Sequence, residues 1–154
     1  MNTPTLFKVN EPSVIYETID GETVLMNLDT GCFFNLENSA EIVWQYILET
    51  GNVKKAIRIM TAANRKIREI ITSSVSEFVT LMVSEKLLVA SDSVAASDGL
   101  PETEEKLKAF ALKFSPPKMN KHTDKTFALF FSASYFVKEK GWPESIENTG
   151  LIGA

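Results

Sequence analysis

Val14 to Trp44 reads VIYETIDGETVLMNLDTGCFFNLENSAEIVW, and the punctuation of this stretch decides the fold. Val14 to Ile19 is rich in β-branched and aromatic residues, which suit a pleated, half-buried surface. Asp20-Gly21 follows, the strongest two-residue hairpin signal. Glu22 to Asn27 forms the returning strand, Asp29-Thr30-Gly31 a second turn, and Cys32 to Leu36 a third strand. Strands joined by turns this short predict a three-stranded antiparallel meander with two edges.

Helical spacing begins directly after the meander. Asn38 with Glu41 three residues on reads as a capping box, with Asn in place of the usual Ser or Thr. Ala40, Val43, Trp44, Ile47 and Leu48 recur on one face, with Glu41, Gln45 and Glu49 opposite. Gly51 ends this helix and Asn52 caps the next, whose apolar face carries Val53, Ala56, Ile57 and Met60. A third, longer helix is predicted from about Arg65 to Glu85, with Ile67, Ile70, Ile71, Val75, Phe78, Leu81 and Met82 as its stripe. Leu87-Leu88-Val89 closes the unit as a short strand. The fold class expected is α+β, a three-stranded antiparallel meander followed by three α-helices, plus a C-terminal helix and extended tail.

Ser, Asp, Ala and Gly dominate the stretch before Pro101, which reads as a linker. Pro101 suits the first turn of a helix, and Glu102, Glu104 and Glu105 suit its positive end. Leu107, Phe110, Ala111 and Phe114 form its stripe, and Pro116-Pro117 stops it. The domains expected are 1–91, a linker over 92–101, and a helix with tail over 102–154.

Composition narrows the function classes. Apolar residues make up 44 % and charged residues 23 % of 154, ordinary values for a globular chain able to bury a modest core. The net charge of −4 argues against generic nucleic-acid binding. A single cysteine, Cys32, allows no intrachain disulfide and suits a reducing cytoplasm. Met1 to Pro12 lacks the apolar core of a signal peptide, and the apolar run Phe127 to Val137 is too short to span a bilayer. No cofactor or metal is expected, because one His and one Cys make no cluster with ligand spacing. No phosphate-binding loop, dinucleotide fingerprint or nucleophile elbow is present, so the chain does not read as an enzyme. Trp44 reads as core, Cys32 as a small buried hydrophobe, and His122 as a solvated loop residue.

The segment from Ile19 to Trp44 resembles the core signature of the PqqD-like family, relatives of coenzyme PQQ synthesis protein D also called precursor-peptide recognition elements. The resemblance rests on Asp20-Gly21-Glu22, Val24-Leu25-Met26, Asn27-Leu28, Thr30-Gly31, Phe33-Phe34, Asn35-Leu36 and the helix through Ile42 and Trp44. Val75 to Leu88 is similar to the family's third helix, with Lys86 where the family often has Gly. Gly141-Trp142-Pro143 is similar to the end of a C-terminal extension in some members.

The resemblance implies a winged-helix-like domain that binds the leader of a ribosomally made precursor peptide and presents it to a maturation enzyme. In the founding pathway that enzyme is a radical S-adenosylmethionine protein. It also implies that a leader adds itself to the third strand, Cys32, Phe33, Phe34, Asn35 and Leu36, with the third helix as the other wall through Arg65, Arg68, Ile71, Val75 and Phe78. Phe33 and Phe34 point to opposite faces, one toward the core and the other toward the groove. Arg65, Lys66 and Arg68 could steer an acidic leader.

A DNA-binding winged-helix regulator is the alternative, since Val53 to Arg68 carries six bases and no acid. The acidic first third speaks against it. Phe114, Pro117 and Met119 have the spacing of an aromatic-x-x-Pro-x-apolar element, which resembles leader motifs of lasso-type precursors. Either the tail occupies the sheet edge of its own domain or of a neighbour, or it packs on the back of the domain or joins two copies in a homodimer.

Overall fold

In a computed structural model, residues 6–19, 22–91 and 99–123 are described. The Asp20-Gly21 turn, most of the linker, the run Phe127 to Val137 and Trp142 lie outside them. Element order is β1 (Phe7–Val9), β2 (Val14–Ile19), β3 (Glu22–Asn27), β4 (Phe33–Glu37), α1 (Ala40–Thr50), α2 (Val53–Ala63), a 3₁₀ turn (Arg65–Ile67), α3 (Arg68–Ser84), β5 (Leu88–Ala90), α4 (Pro101–Leu112) and β6 (Lys118–His122). The class is α+β with an antiparallel meander, as the turn signals predict. The meander is part of a four-stranded sheet in the order β2-β3-β4-β6, and β1 and β5 make a separate pair.

The chain divides into two compact units, one of Met1–Glu11 with Leu36–Met119 and one of Pro12–Asn35 with Asn120–Ala154. The first is built on helices. α2 packs against α1, α3 and α4, and α4 also against α1. Trp44, Tyr46, Met60, Ile71, Met82, Leu87 and Leu107 are its largest fully buried side chains, with Leu36 and Leu88. α1 is buried more widely than its predicted stripe, because Ile42 and Tyr46 are also covered. On α3, Ile70 and Leu81 are exposed, so the stripe is narrower and runs Ile71, Val75, Phe78, Val79, Met82.

Helix ends show how local chemistry sets these boundaries. The Asn52 side chain accepts from the Lys55 amide at 2.9 Å and caps α2. Gly51 sits at φ 70°, and a Cβ there would stand 2.6 Å from the Phe7 carbonyl, so glycine is required on two counts. α3 ends in a Schellman arrangement, with Lys86 N–H on Val83 O (3.0 Å) and Leu87 N–H on Met82 O (2.9 Å). Lys86 takes the left-handed position there, at φ 61°.

α4 begins at Pro101, as predicted, with Glu102 and Glu104 in its first turn. The Glu49 carboxylate of α1 also holds this end: it accepts from Leu100 N–H at 2.9 Å and from Thr103 Oγ1 at 2.7 Å. Thr103, Leu107 and Ala111 form the buried line of α4, whereas Phe110 is exposed.

The second unit contains the β2–β3 ribbon, the Phe33–Asn35 part of β4 and the end of β6. β2 and β3 pair antiparallel from Val14↔Asn27 to Ile19↔Glu22, and β3 pairs with β4 through Val24↔Asn35, Leu25↔Phe34 and Met26↔Phe33. Val24, Met26 and Phe33 make a buried cluster with Ile15 against it.

Candidate functional site

The approach to β4 is fixed by one side chain. Asn27, 1 % exposed, accepts through Oδ1 from the amides of Asp29 (2.9 Å) and Thr30 (3.2 Å). Its own backbone binds both ends of the turn, with Gly31 N–H on Asn27 O at 2.8 Å and Asn27 N–H on Cys32 O at 2.9 Å. Gly31, at φ 76°, supplies the left-handed step that this closure needs. β4 therefore starts from a loop closed by four hydrogen bonds to Asn27, the Asp29-Thr30-Gly31 turn read from sequence.

Along β4 the side chains alternate. Phe33 and Asn35 share one face, and Phe34 and Leu36 the other. Both phenylalanines are buried, Phe33 to 4 % exposure and Phe34 to 0 %, so neither ring lies free in this state. Phe33 is covered by its own cluster and by a residue that carries no site signal in the sequence. The imidazole of His122 stacks on Phe33 with centroids 4.7 Å apart and planes 16° from parallel. His122 Nε2 also lies 2.6 Å from Asn35 Oδ1. His122 is thus the last residue of a strand and not a loop residue. Cys32 is half-buried, and its amide donates to Thr30 Oγ1 at 3.2 Å.

At the other end of β4, Asn38 and Ser39 do something other than cap α1. Asn38 is left-handed, at φ 59°, and its Nδ2 donates to Pro116 O at 3.3 Å. Ser39 is the residue before α1 but makes no side-chain cap; its Oγ donates to Ser115 O at 2.6 Å. The capping box expected from Asn38 and Glu41 is therefore absent, because the Asn38 and Ser39 side chains both donate to the backbone leading into β6.

These end contacts run in opposite chain order: Ser115 and Pro116 meet Ser39 and Asn38, while His122 meets Phe33 and Asn35. β6 therefore lies antiparallel to β4 as its neighbour in the sheet. Its residues Lys118, Lys121 and His122 are exposed, and Met119 and Asn120 half-buried.

On α3, Ile71 and Val75 are 0 % exposed and Phe78 4 %, so in this state all three are packing residues of the helical unit. Arg65 and Arg68 are exposed. Among the described residues no group of three or more His, Cys, Asp or Glu could hold a metal ion, and no helix is long and apolar enough to cross a membrane. The Glu49 carboxyl departs from its ordinary value. Burial pushes it up, but the hydrogen bonds from Thr103, Gln45 and the Leu100 amide outweigh that and hold it below the ordinary carboxylate range.

Comparison with known proteins adds one finding. Residues 22–88 match the family described as coenzyme PQQ synthesis protein D (PqqD). Searches of curated proteins and of solved structures gave no match. The matched stretch runs from the start of β3 to the start of β5, so it includes β4 and the three helices that follow, and it ends before α4 and β6. That match, over somewhat less than half of the chain, supports the assignment of residues 22–88 to the PqqD-like family.

Proposed function

We propose that the chain is a non-catalytic adaptor: it captures the leader of a ribosomally made precursor peptide by strand addition at β4 and presents it to a modifying enzyme. The observation that carries this reading is the neighbour of β4. The margin beyond the meander accepts an extended segment, β6, that comes from some eighty residues further along the chain. A margin whose N–H and C=O groups pair with one extended backbone can pair with another that takes its place.

The family supports the same reading, since its name ties the founding member to the synthesis of coenzyme PQQ. In this reading the chain carries a winged-helix-like element of the precursor-recognition type. Cys32 to Leu36 supply the backbone that a leader pairs with. Exposed Arg65 and Arg68 attract an acidic leader over a distance of about 8 Å, the range of charge in physiological salt. The enzyme that receives the leader is a maturation enzyme of the radical S-adenosylmethionine kind or another class, and the encounter takes place in the cytoplasm.

The test uses the full chain labelled for amide NMR. Synthetic peptides matching the N-terminal segments of short open reading frames beside this gene are titrated in. The reading expects one of them to move the Phe33–Glu37 amides in a saturable way. If every such peptide leaves those amides unmoved, the adaptor function is wrong.

A further inference from the structure

The margin that a leader would use is already filled by the chain itself. Building on the adaptor reading, we propose that residues 115–122 are a surrogate leader in cis. They hold the β4 margin until a leader exchanges with them, and their contacts specify the guest: an extended stretch, antiparallel to β4, with a flat ring over Phe33.

Three observations converge on this. The first is weak burial. None of the five residues of β6 is buried, whereas all but the first residue of β3 are. A strand with so little covered surface belongs to the low-stability end of a fold, from which exchangeable elements are drawn. The second is composition. Lys118-Met119-Asn120-Lys121-His122 has no β-branched residue and no apolar alternation. The open margin imposes the strand, so another extended sequence would satisfy it equally.

The third is the kind of contact. Ser39 and Asn38 donate to carbonyl oxygens, at Ser115 and Pro116, and carbonyls are common to every peptide. Those two grips are independent of sequence and transferable to a guest. The His122 ring on Phe33, with its 2.6 Å bond to Asn35, does depend on the side chain. It therefore sets the selectivity, a planar ring with a polar edge at the position facing Phe33. Tethering makes the surrogate a strong competitor despite its few contacts, since an attached strand acts at an effective concentration of about a millimolar.

The probe is a synthetic peptide of residues 114–123, added to the full chain and to full-length variants with β6 disabled. In an antiparallel strand successive N–H groups point to opposite sides, so Met119→Pro and Asn120→Pro form a matched pair. Only one of the two removes a bond to β4. His122→Ala is a milder third variant that leaves the backbone intact. Expected is saturable movement of the Phe33–Glu37 amides in one proline variant and in His122→Ala. The native chain should need about tenfold or more peptide, the penalty for a margin free one time in ten. Failure of the peptide to enter any variant, or equal entry into native chain and variants, overturns the surrogate.

A leader peptide that binds native and proline chains with the same affinity overturns the surrogate and leaves the adaptor standing. Conversely, entry of the residue 114–123 peptide with no entry by any leader peptide supports exchange at the margin and removes the adaptor.

Discussion

His122 lies flat against Phe33, ring centroids 4.7 Å apart, and reaches Asn35 Oδ1 with Nε2 at 2.6 Å. Two β4 residues on the same face are thereby tied to the end of β6. Such a stack and such a hydrogen bond are each worth about 1 kcal/mol. His122→Ala should therefore speed amide hydrogen exchange along β6 by about fivefold to thirtyfold, since 1–2 kcal/mol of local stability is lost. Exchange in α1, whose Trp44 and Tyr46 are buried, should stay unchanged. Uniform acceleration across the chain would mean that β6 is not a locally opening element.

Glu49 joins α1 to the start of α4 through Leu100 and Thr103. Its carboxyl is held below the ordinary range, so it ionises more readily folded than unfolded. Its contribution is present above the ordinary carboxylate value and drains away as pH falls through the lowered one. Glu49→Gln should cost about 1 kcal/mol at neutral pH, with the gap to the native chain closing in acid. Urea denaturation across a pH series reads this directly. A gap that stays constant with pH would show that the charge contributes nothing.

The position of Lys86 is a consequence of α3 ending in a left-handed residue, at φ 61°. Lys86→Gly relieves about 1–2 kcal/mol of conformational strain. It adds about 0.4–1 kcal/mol of freedom to the unfolded chain. The expected net is a gain of about 0.5–1 kcal/mol, seen as a higher denaturant midpoint with unchanged slope. A lower midpoint would contradict the strain.

Turn chemistry is the reason much of this fold is legible in the sequence. Asp29-Thr30-Gly31, Gly51, Asn52 and Pro101 each act where their backbone preferences dictate. Asn38 misled because a cap signal carries no information about distant carbonyls, and here the carbonyls belong to Ser115 and Pro116. β6 was hidden for a related reason: Lys-Met-Asn-Lys-His has no strand preference of its own, and a neighbouring edge decides its conformation. β1 is three residues long and is stabilised by pairing with β5 some eighty residues away, again a non-local cause. Of the candidate site, the β4 segment was legible from its turns and paired phenylalanines, whereas the role of His122 depends on a contact 89 positions back along the chain, at Phe33.

Charge steering gives a further expectation. Arg65 and Arg68 are exposed. Reversing both to Glu should slow association of an acidic leader by about tenfold at low ionic strength, with little change in dissociation. The difference should largely vanish at about 0.5 M salt, where the screening length is short. Stopped-flow association rates at two salt concentrations decide it. A salt-independent loss would indicate direct contact instead of steering.

The central claim is that a guest binds as an added strand, through its main chain. The direct measurement is a backbone N-methylation scan of a bound leader peptide, in which each N–H is replaced in turn and affinity for the full chain is recorded. Only every second N–H of an added strand faces β4. The account predicts losses of tenfold or so that recur with a period of two along the peptide. Affinity that is indifferent to N-methylation, or that falls with a period of three to four, would contradict strand addition at β4.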